Sequence, residues 1–369
     1  MHQPDTRVPV TLLTGFLGAG KTTLLGQLLR DPASGRVAVV MNELGDVGLD
    51  HDLIEEATDE TVLMRSGCLC CSIRGDLGRT LASLMARRLR GVLEFDRVVI
   101  ETTGIAEPGP ILQTLVLDEV IAPHYRLDGV VTVADVAMGP RSLDAHIEAV
   151  AQIALADLVV LSKADLVTAP ERARFEARLA AINPAARRVR ADHGRVESGR
   201  LFGLSALRAD AQAPEIAEWL GVSGPGALAP GGLSGLAPPS GMATAPGQQA
   251  AFHHETSINS ASIEVETPIP ASVFDYWIET LIALKGPDVL RIKGIAHVEG
   301  IDRPFVFHGV QHVFDAPVAL DGWSGADRTS RVVVIARHMD RQQIEASLAT
   351  LRMRPGTGVD GAARTDAPR

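Results

Sequence analysis

Three cysteines, all that the 369-residue chain contains, stand within four positions, as Cys68, Cys70 and Cys71 in the run Ser66-Gly67-Cys68-Leu69-Cys70-Cys71. Thiolates this close together can converge on one soft cation, with Zn2+ the default by softness and availability and Co2+ also feasible. A fourth ligand is not readable from the residues: Glu43, Asp46, a water or a residue of a client protein would serve, and His253, His254, His308 and His312 are further candidates in principle. Clustered thiols also suit a redox switch, and that alternative stays open.

A second chemistry lies upstream. Gly15-Phe16-Leu17-Gly18-Ala19-Gly20-Lys21-Thr22 fills every position of a phosphate-binding loop. Gly15 and Gly20 let the backbone turn so that successive N–H groups face a phosphate, Lys21 reaches the outer phosphates, and the Thr22 hydroxyl suits Mg2+. The expected nucleotide-binding residues are thus Gly15, Gly18, Ala19, Gly20, Lys21, Thr22 and Thr23, with Gly104 facing the terminal phosphate. Glu101 closes the apolar run Val98-Val99-Ile100, where a strand-end carboxylate can hold the Mg2+ shell or position a water. Lys21 and Glu101 are therefore the candidate catalytic residues, and Asp135 is a weaker second strand-end acid. In Ser162-Lys163-Ala164-Asp165, Asp165 can accept hydrogen bonds from guanine N1 and N2, a pair adenine does not offer, with Lys163 beside it. Ser162 stands where Asn is usual in such a motif.

These residues need elements to hold them. The apolar run Val8–Leu13 stops at Thr14-Gly15, and a helix is expected from near Lys21 through Leu29, which is the strand–loop–helix context a phosphate loop requires. Further short β-branched runs at Val37–Met41, Val98–Ile100, Val130–Val133 and Leu158–Leu161, with helical patterns between several of them, predict a mostly parallel sheet covered on both faces. Residues 221–250 contain no Asp, Glu, Lys or Arg and are rich in Gly, Pro, Ala and Ser, the composition of a flexible linker. Beyond it, Ser262–Thr267, Val289–Ile295, Pro304–Val313 and Val332–Ala336 are strand candidates. Pro270 opens a helix with Phe274, Trp277, Ile278, Leu281 and Ile282 on one face, and Asp340 caps a last helix through Leu351. The expected division is a nucleotide domain over 1–220, the linker, a smaller α+β domain over 251–352 and a polar tail over 353–369.

Composition narrows the class. Hydrophobic residues at 46% against 22% charged fit a soluble globular protein, and a formal charge of −10 speaks against sequence-independent nucleic-acid binding. No apolar stretch approaches the roughly 18 residues of a membrane span, and clustered cysteines without partners elsewhere predict a reducing, cytoplasmic setting.

Four segments in order, 15–23, Asn42-Glu-Leu-Gly-Asp-Val-Gly-Leu-Asp50, Gly67-Cys-Leu-Cys-Cys71 and Glu101-Thr-Thr-Gly-Ile-Ala-Glu-Pro108, resemble the signatures of the CobW-type GTPases. The second domain is similar to the CobW C-terminal domain, with Arg291-Ile-Lys-Gly294, Phe307-His-Gly-Val-Gln-His312 and Trp323 as landmarks. The resemblance implies a P-loop NTPase-like domain and a GTP-hydrolysing metal chaperone with GTP and Mg2+, serving a metalloprotein client, with homodimerisation left open. It assigns phosphate and Mg2+ to Lys21 and Thr22, nucleotide sensing to Glu101, the base to Lys163 and Asp165, a switch segment to 42–50, and the transported metal to Cys68, Cys70 and Cys71. Asp46 stands where Glu is common, and the His-rich segment of many members is reduced to His253-His254. The alternative function is a nucleotide-gated regulatory or redox-sensing protein that docks a partner through its C-terminal domain.

Overall fold

The structure is a computed structural model that describes residues 5–42, 62–66, 73–208, 211–221, 258–321 and 328–354. Its first unit is built on seven parallel strands: β1 (Val8–Thr14), β2 (Val37–Asn42), β3 (Val62–Ser66), β4 (Arg97–Thr102), β5 (Tyr125–Asp135), β6 (Leu158–Ser162) and β7 (Arg187–Arg190). They lie in the order β3-β2-β4-β1-β5-β6-β7. The chain leaves β1 for β2 on one side and returns to place β5 on the other, so the strand order reverses at β1. A crevice opens at the carboxyl ends of strands at such a switch point, which is where α/β sheets bind ligands.

Both faces of this sheet are covered, which is why its strands read as unbroken apolar runs rather than alternating ones. On one face α1 (Lys21–Arg30) packs Leu24, Leu25 and Leu28 against Leu13, Val39 and Val131. On the other, α2 (Ile73–Leu89) and α3 (Gly109–Leu117) bring Leu81, Leu84, Ile111 and Leu115 onto Leu12, Val40 and Ile100. The short α4 (Gly139–Ala145), α5 (Ile147–Leu155) and α6 (Ala169–Ile182) enclose Leu143, Ile153, Phe175 and Leu179 beside β5 and β6. A last helix of this unit, α7 (Ala213–Trp219), ends on Trp219.

The second unit is an antiparallel sheet of β8 (Ile258–Val265), β9 (Val289–Ala296), β10 (Phe305–Val310), β11 (Val313–Phe314), β12 (Val318–Ala319) and β13 (Ser330–Arg337). Helices α8 (Ala271–Lys285) and α9 (Arg341–Ala349) supply Trp277, Leu281, Ile344 and Leu348 to a core with Ile292, Phe307, Val332 and Val334. Leu290 and Ile335 join the core of the first unit, and Ile295 and Val306 close on Trp219 and Ile216. Alternation gives this sheet one face for its own helices and one for the nucleotide unit, and a register shift opposite Leu290 turns it as well as Arg291 to the nucleotide side.

Three details depart from the sequence reading. β3 and β7 are edge strands of the first sheet that the sequence reading did not include: β3 carries only the three-residue apolar run Val62-Leu63-Met64, and the Arg-rich β7 carries none. The segment 304–313 is not one strand: Gln311 at φ 56° turns the chain between β10 and β11. The final helix, capped by Asp340 as expected, ends at Ala349 and continues to Arg352 only as a 3-10 turn.

Candidate functional site

The phosphate loop occupies the six residues between β1 and α1, and three of them have left-handed backbone: Gly15 at φ 144°, Gly18 at 71° and Gly20 at 100°. Gly15 needs glycine on a second ground, because a β-carbon there would lie 2.4 Å from the Val133 carbonyl oxygen. Ala19 is buried under the loop, and its carbonyl accepts a 2.6 Å hydrogen bond from the Ser162 hydroxyl at the end of β6. The N-terminal end of α1, whose first-turn N–H groups have no partner within the helix, therefore opens on the loop, which favours an anion there.

Charged side chains converge on the loop and the start of α1. The Lys21 ammonium donates to the Gly15 carbonyl at 2.9 Å, and burial lowers its pKa against the pull of the Glu101 carboxylate. The Thr22 hydroxyl donates to Glu101 Oε1 at 3.0 Å, and Glu101, last but one in β4, is only 6% exposed. A hydroxyl and a carboxylate so close at the head of a phosphate-binding helix are hard oxygen donors of the kind Mg2+ takes, so the residues fit that ion. Gly104 rests against the loop, where a β-carbon would lie 2.6 Å from the Leu17 nitrogen. Thr23 is exposed, with its methyl under the turn at Gly194, a feature that follows β7 and that no apolar pattern marks.

On the far side of the loop, Lys163 has a left-handed backbone at φ 53° and its ammonium donates to the Gly18 carbonyl and to Asp135 Oδ2, both at 2.8 Å. Asp135 also accepts from the Ala137 and Met138 N–H groups, so this strand-end acid is committed to anchoring Lys163 and its own turn. Asp165 lies exposed in the 3-10 turn Ala164–Leu166 that follows. Ser162 bonds the loop that Lys163 also bonds, a link that the residue's type alone did not suggest. The structure thus brings Gly15, Gly18, Ala19, Gly20, Lys21, Thr22, Thr23, Glu101, Gly104 and Lys163 to one end of the sheet.

Cys68, Cys70 and Cys71, most of the 42–50 segment, Trp323, His253 and His254 lie outside the described residues. Among the described residues no group of three or more His, Cys, Asp or Glu side chains is arranged to hold a metal. His308 is buried with Nδ1 3.2 Å from Asp315 and edge-on to Trp219, while His312 is exposed. Among the described residues no helix is long and apolar enough to cross a membrane.

Residues 9–190, from β1 to β7, match the CobW/HypB/UreG nucleotide-binding domain, and 258–352 match the cobalamin synthesis protein CobW C-terminal domain. Over 345 residues the chain is 31% identical to the zinc chaperone YjiA of Escherichia coli K12, covering 94% of this chain and 99% of that one. The chain belongs to the CobW family. A zinc chaperone CobW of Pseudomonas aeruginosa is 30% identical over 93% of this CobW-family chain and 91% of its own. A fission-yeast protein named zinc-regulated GTPase metalloprotein activator 1 is 40% identical over 197 residues, 52% of this chain and 47% of that one. The crystal structure of Zn(II)-bound YjiA GTPase superposes with a TM-score of 0.67 at 28% identity, covering 94% of this chain and 99% of that one.

Proposed function

We propose that this CobW-family protein is a GTP-hydrolysing zinc chaperone. It binds GTP in the cradle formed by residues 15–23, carries Zn2+ as cargo on Cys68, Cys70 and Cys71, and passes the ion to a metalloprotein client under nucleotide control. The observation that carries the enzymatic part is the 3.0 Å contact between Thr22 and the buried Glu101 at the head of α1, with Lys21 alongside. The names of the full-length relatives, zinc chaperone and GTPase, support the cargo and the nucleotide.

In this reading Lys21 leaves the Gly15 carbonyl and turns to the outer phosphates, whose charge removes the penalty its burial imposes. Thr22 and Glu101 would hold Mg2+, which when bound neutralises charge on the phosphate oxygens. The Gly104 N–H faces the terminal phosphate, and water attack there breaks the bond to the β-phosphate oxygen and yields GDP and phosphate. Asp165, exposed beside Lys163, takes guanine N1 and N2. The 42–50 segment, which leads through β3 to the thiolate loop, transmits the presence of the third phosphate to the cysteines.

The test is phosphate release by the purified full-length protein with Mg2+ and either GTP or ATP, compared with Glu101→Gln. The reading predicts turnover of GTP well above ATP and a loss of at least about tenfold in the variant. Equal use of ATP would remove the guanine assignment, and no turnover of either nucleotide would remove the enzymatic one.

A further inference from the structure

The loop that follows β4 is held by residues outside the phosphate loop. Gln152, in the middle of α5, is 1% exposed, and its Nε2 donates to the Gly104 carbonyl and to the Ala106 carbonyl, each at 3.1 Å. Its own backbone carbonyl accepts from the Thr132 hydroxyl of β5 at 2.8 Å, which fixes α5 to the sheet. The side-chain Oε1 is buried without a hydrogen-bond partner among the described residues, so both donors of this amide serve the loop while its acceptor goes unused.

The same helix is gripped by the C-terminal unit. At its start His146 stacks on Phe16 of the phosphate loop with ring centroids 4.5 Å apart. At its end the Leu155 carbonyl accepts from Arg291 of β9, and Asp157 pairs with Arg291 and, at 2.7 Å, with Lys293. Both cations are 2% exposed. A second contact reaches the loop directly: Arg337 of β13 lies 3.5 Å from Glu107. Through these contacts the C-terminal unit reaches the loop both directly and by way of α5.

We propose that Gln152 is a positioning residue for GTP hydrolysis, and that the seating of the C-terminal unit sets the hydrolysis rate through Gln152 and Arg337. The inference rests on the reading of the chain as a GTPase. Gly104 fits against Leu17 with no room for a side chain, so a loop released from either tether loses its place beside the third phosphate. The polar partners of these two side chains on this side of the molecule are Gly104, Ala106 and Glu107 rather than residues 15–23, so the effect falls on turnover rather than on affinity.

The experiment compares the full-length protein with Gln152→Met, which keeps shape and removes the donors, with Arg337→Gln, whose partly exposed site tolerates change, and with the double variant. Steady-state GTP hydrolysis and GDP affinity are read together with melting temperature. Expected are falls in kcat of about tenfold and about threefold, with GDP affinity within about twofold, and a double variant less impaired than the product of the singles. Unchanged or raised kcat in a Gln152→Met protein that binds GDP overturns the proposal. Strictly multiplicative effects overturn the claim that both tethers act on one loop. If Gln152→Met does not fold, Arg337→Gln decides alone, and unchanged kcat in it overturns the coupling to the C-terminal unit. Wild-type protein that hydrolyses no GTP overturns the underlying GTPase reading and this inference with it, whereas wild-type turnover with unaffected variants overturns the inference alone.

Discussion

Lys21 is a half-buried ammonium that donates to a carbonyl of its own loop, 2.9 Å away, a state that favours the arrival of an anion. Lys21→Ala should lower GTP turnover by at least about a hundredfold, measured as phosphate release, because a fixed charge aimed at the transferred group acts mainly in the transition state. The cysteines make a separate prediction. Replacing Cys68, Cys70 and Cys71 by Ser should remove one bound zinc per chain, counted by metal analysis after purification without chelator, and leave nucleotide affinity unaltered in the absence of zinc. A variant that keeps its zinc would move the cargo site elsewhere.

At the scale of elements, the glycines of the cradle are required for stated and different reasons. Gly15→Ala places a β-carbon 2.4 Å from the Val133 carbonyl oxygen in a left-handed backbone, so both melting temperature and nucleotide binding should fall. Gly104→Ala meets the Leu17 backbone at 2.6 Å but keeps an ordinary φ. There kcat should fall more than stability, since the loop can swing away from the phosphate loop without unfolding the sheet. If thermal melts show equal destabilisation for the two, the idea that this loop moves as a unit is wrong.

The element scale also shows how far the sequence could be read. The strand–loop–helix at 8–30 was legible because a buried parallel strand, a glycine turn and an amphipathic helix each leave a local pattern. Glu101 could be placed because it ends such a strand. β7 was not legible, since Arg187, Arg188 and Arg190 give an edge strand no apolar signature. Gln152 and Arg337 were invisible for another reason: what they do depends on loops distant in sequence, and a lone Gln within an apolar helix carries no motif.

At the scale of the whole molecule, the two units are joined by apolar contacts and by a buried charge cluster. Burial raises the Asp157 carboxyl, but Arg291 and Lys293 outweigh it and hold its pKa below the usual carboxylate range, while burial pushes Lys293 down to about 8 against the pull of Asp157. Asp157→Asn leaves two buried cations without their anion and should destabilise the protein by about 3 kcal/mol, seen as an earlier denaturant midpoint. The sign of the pH effect follows from the direction of the shift. A carboxyl with a depressed folded-state pKa stabilises fully above its unfolded value of about 3.9, and that contribution is lost as pH falls below it. His308 is buried and held neutral, chiefly by desolvation and then by Arg291, so its folded-state pKa is also depressed. Stability should therefore begin to decline as pH drops through about 6.5, the unfolded histidine value, and His308→Gln should flatten that part of the melting-temperature profile.

The central claim joins the two chemistries of the molecule: the nucleotide controls how tightly zinc is held. Such coupling is a property of the whole chain and is reciprocal, so zinc must tighten the triphosphate by the factor by which the triphosphate tightens zinc. The direct measurement is a zinc titration of the full-length protein loaded with GTPγS and, in parallel, with GDP. Zinc affinity higher by about 5- to 150-fold in the GTPγS form is the predicted result. Equal zinc affinity in the two forms would contradict the account.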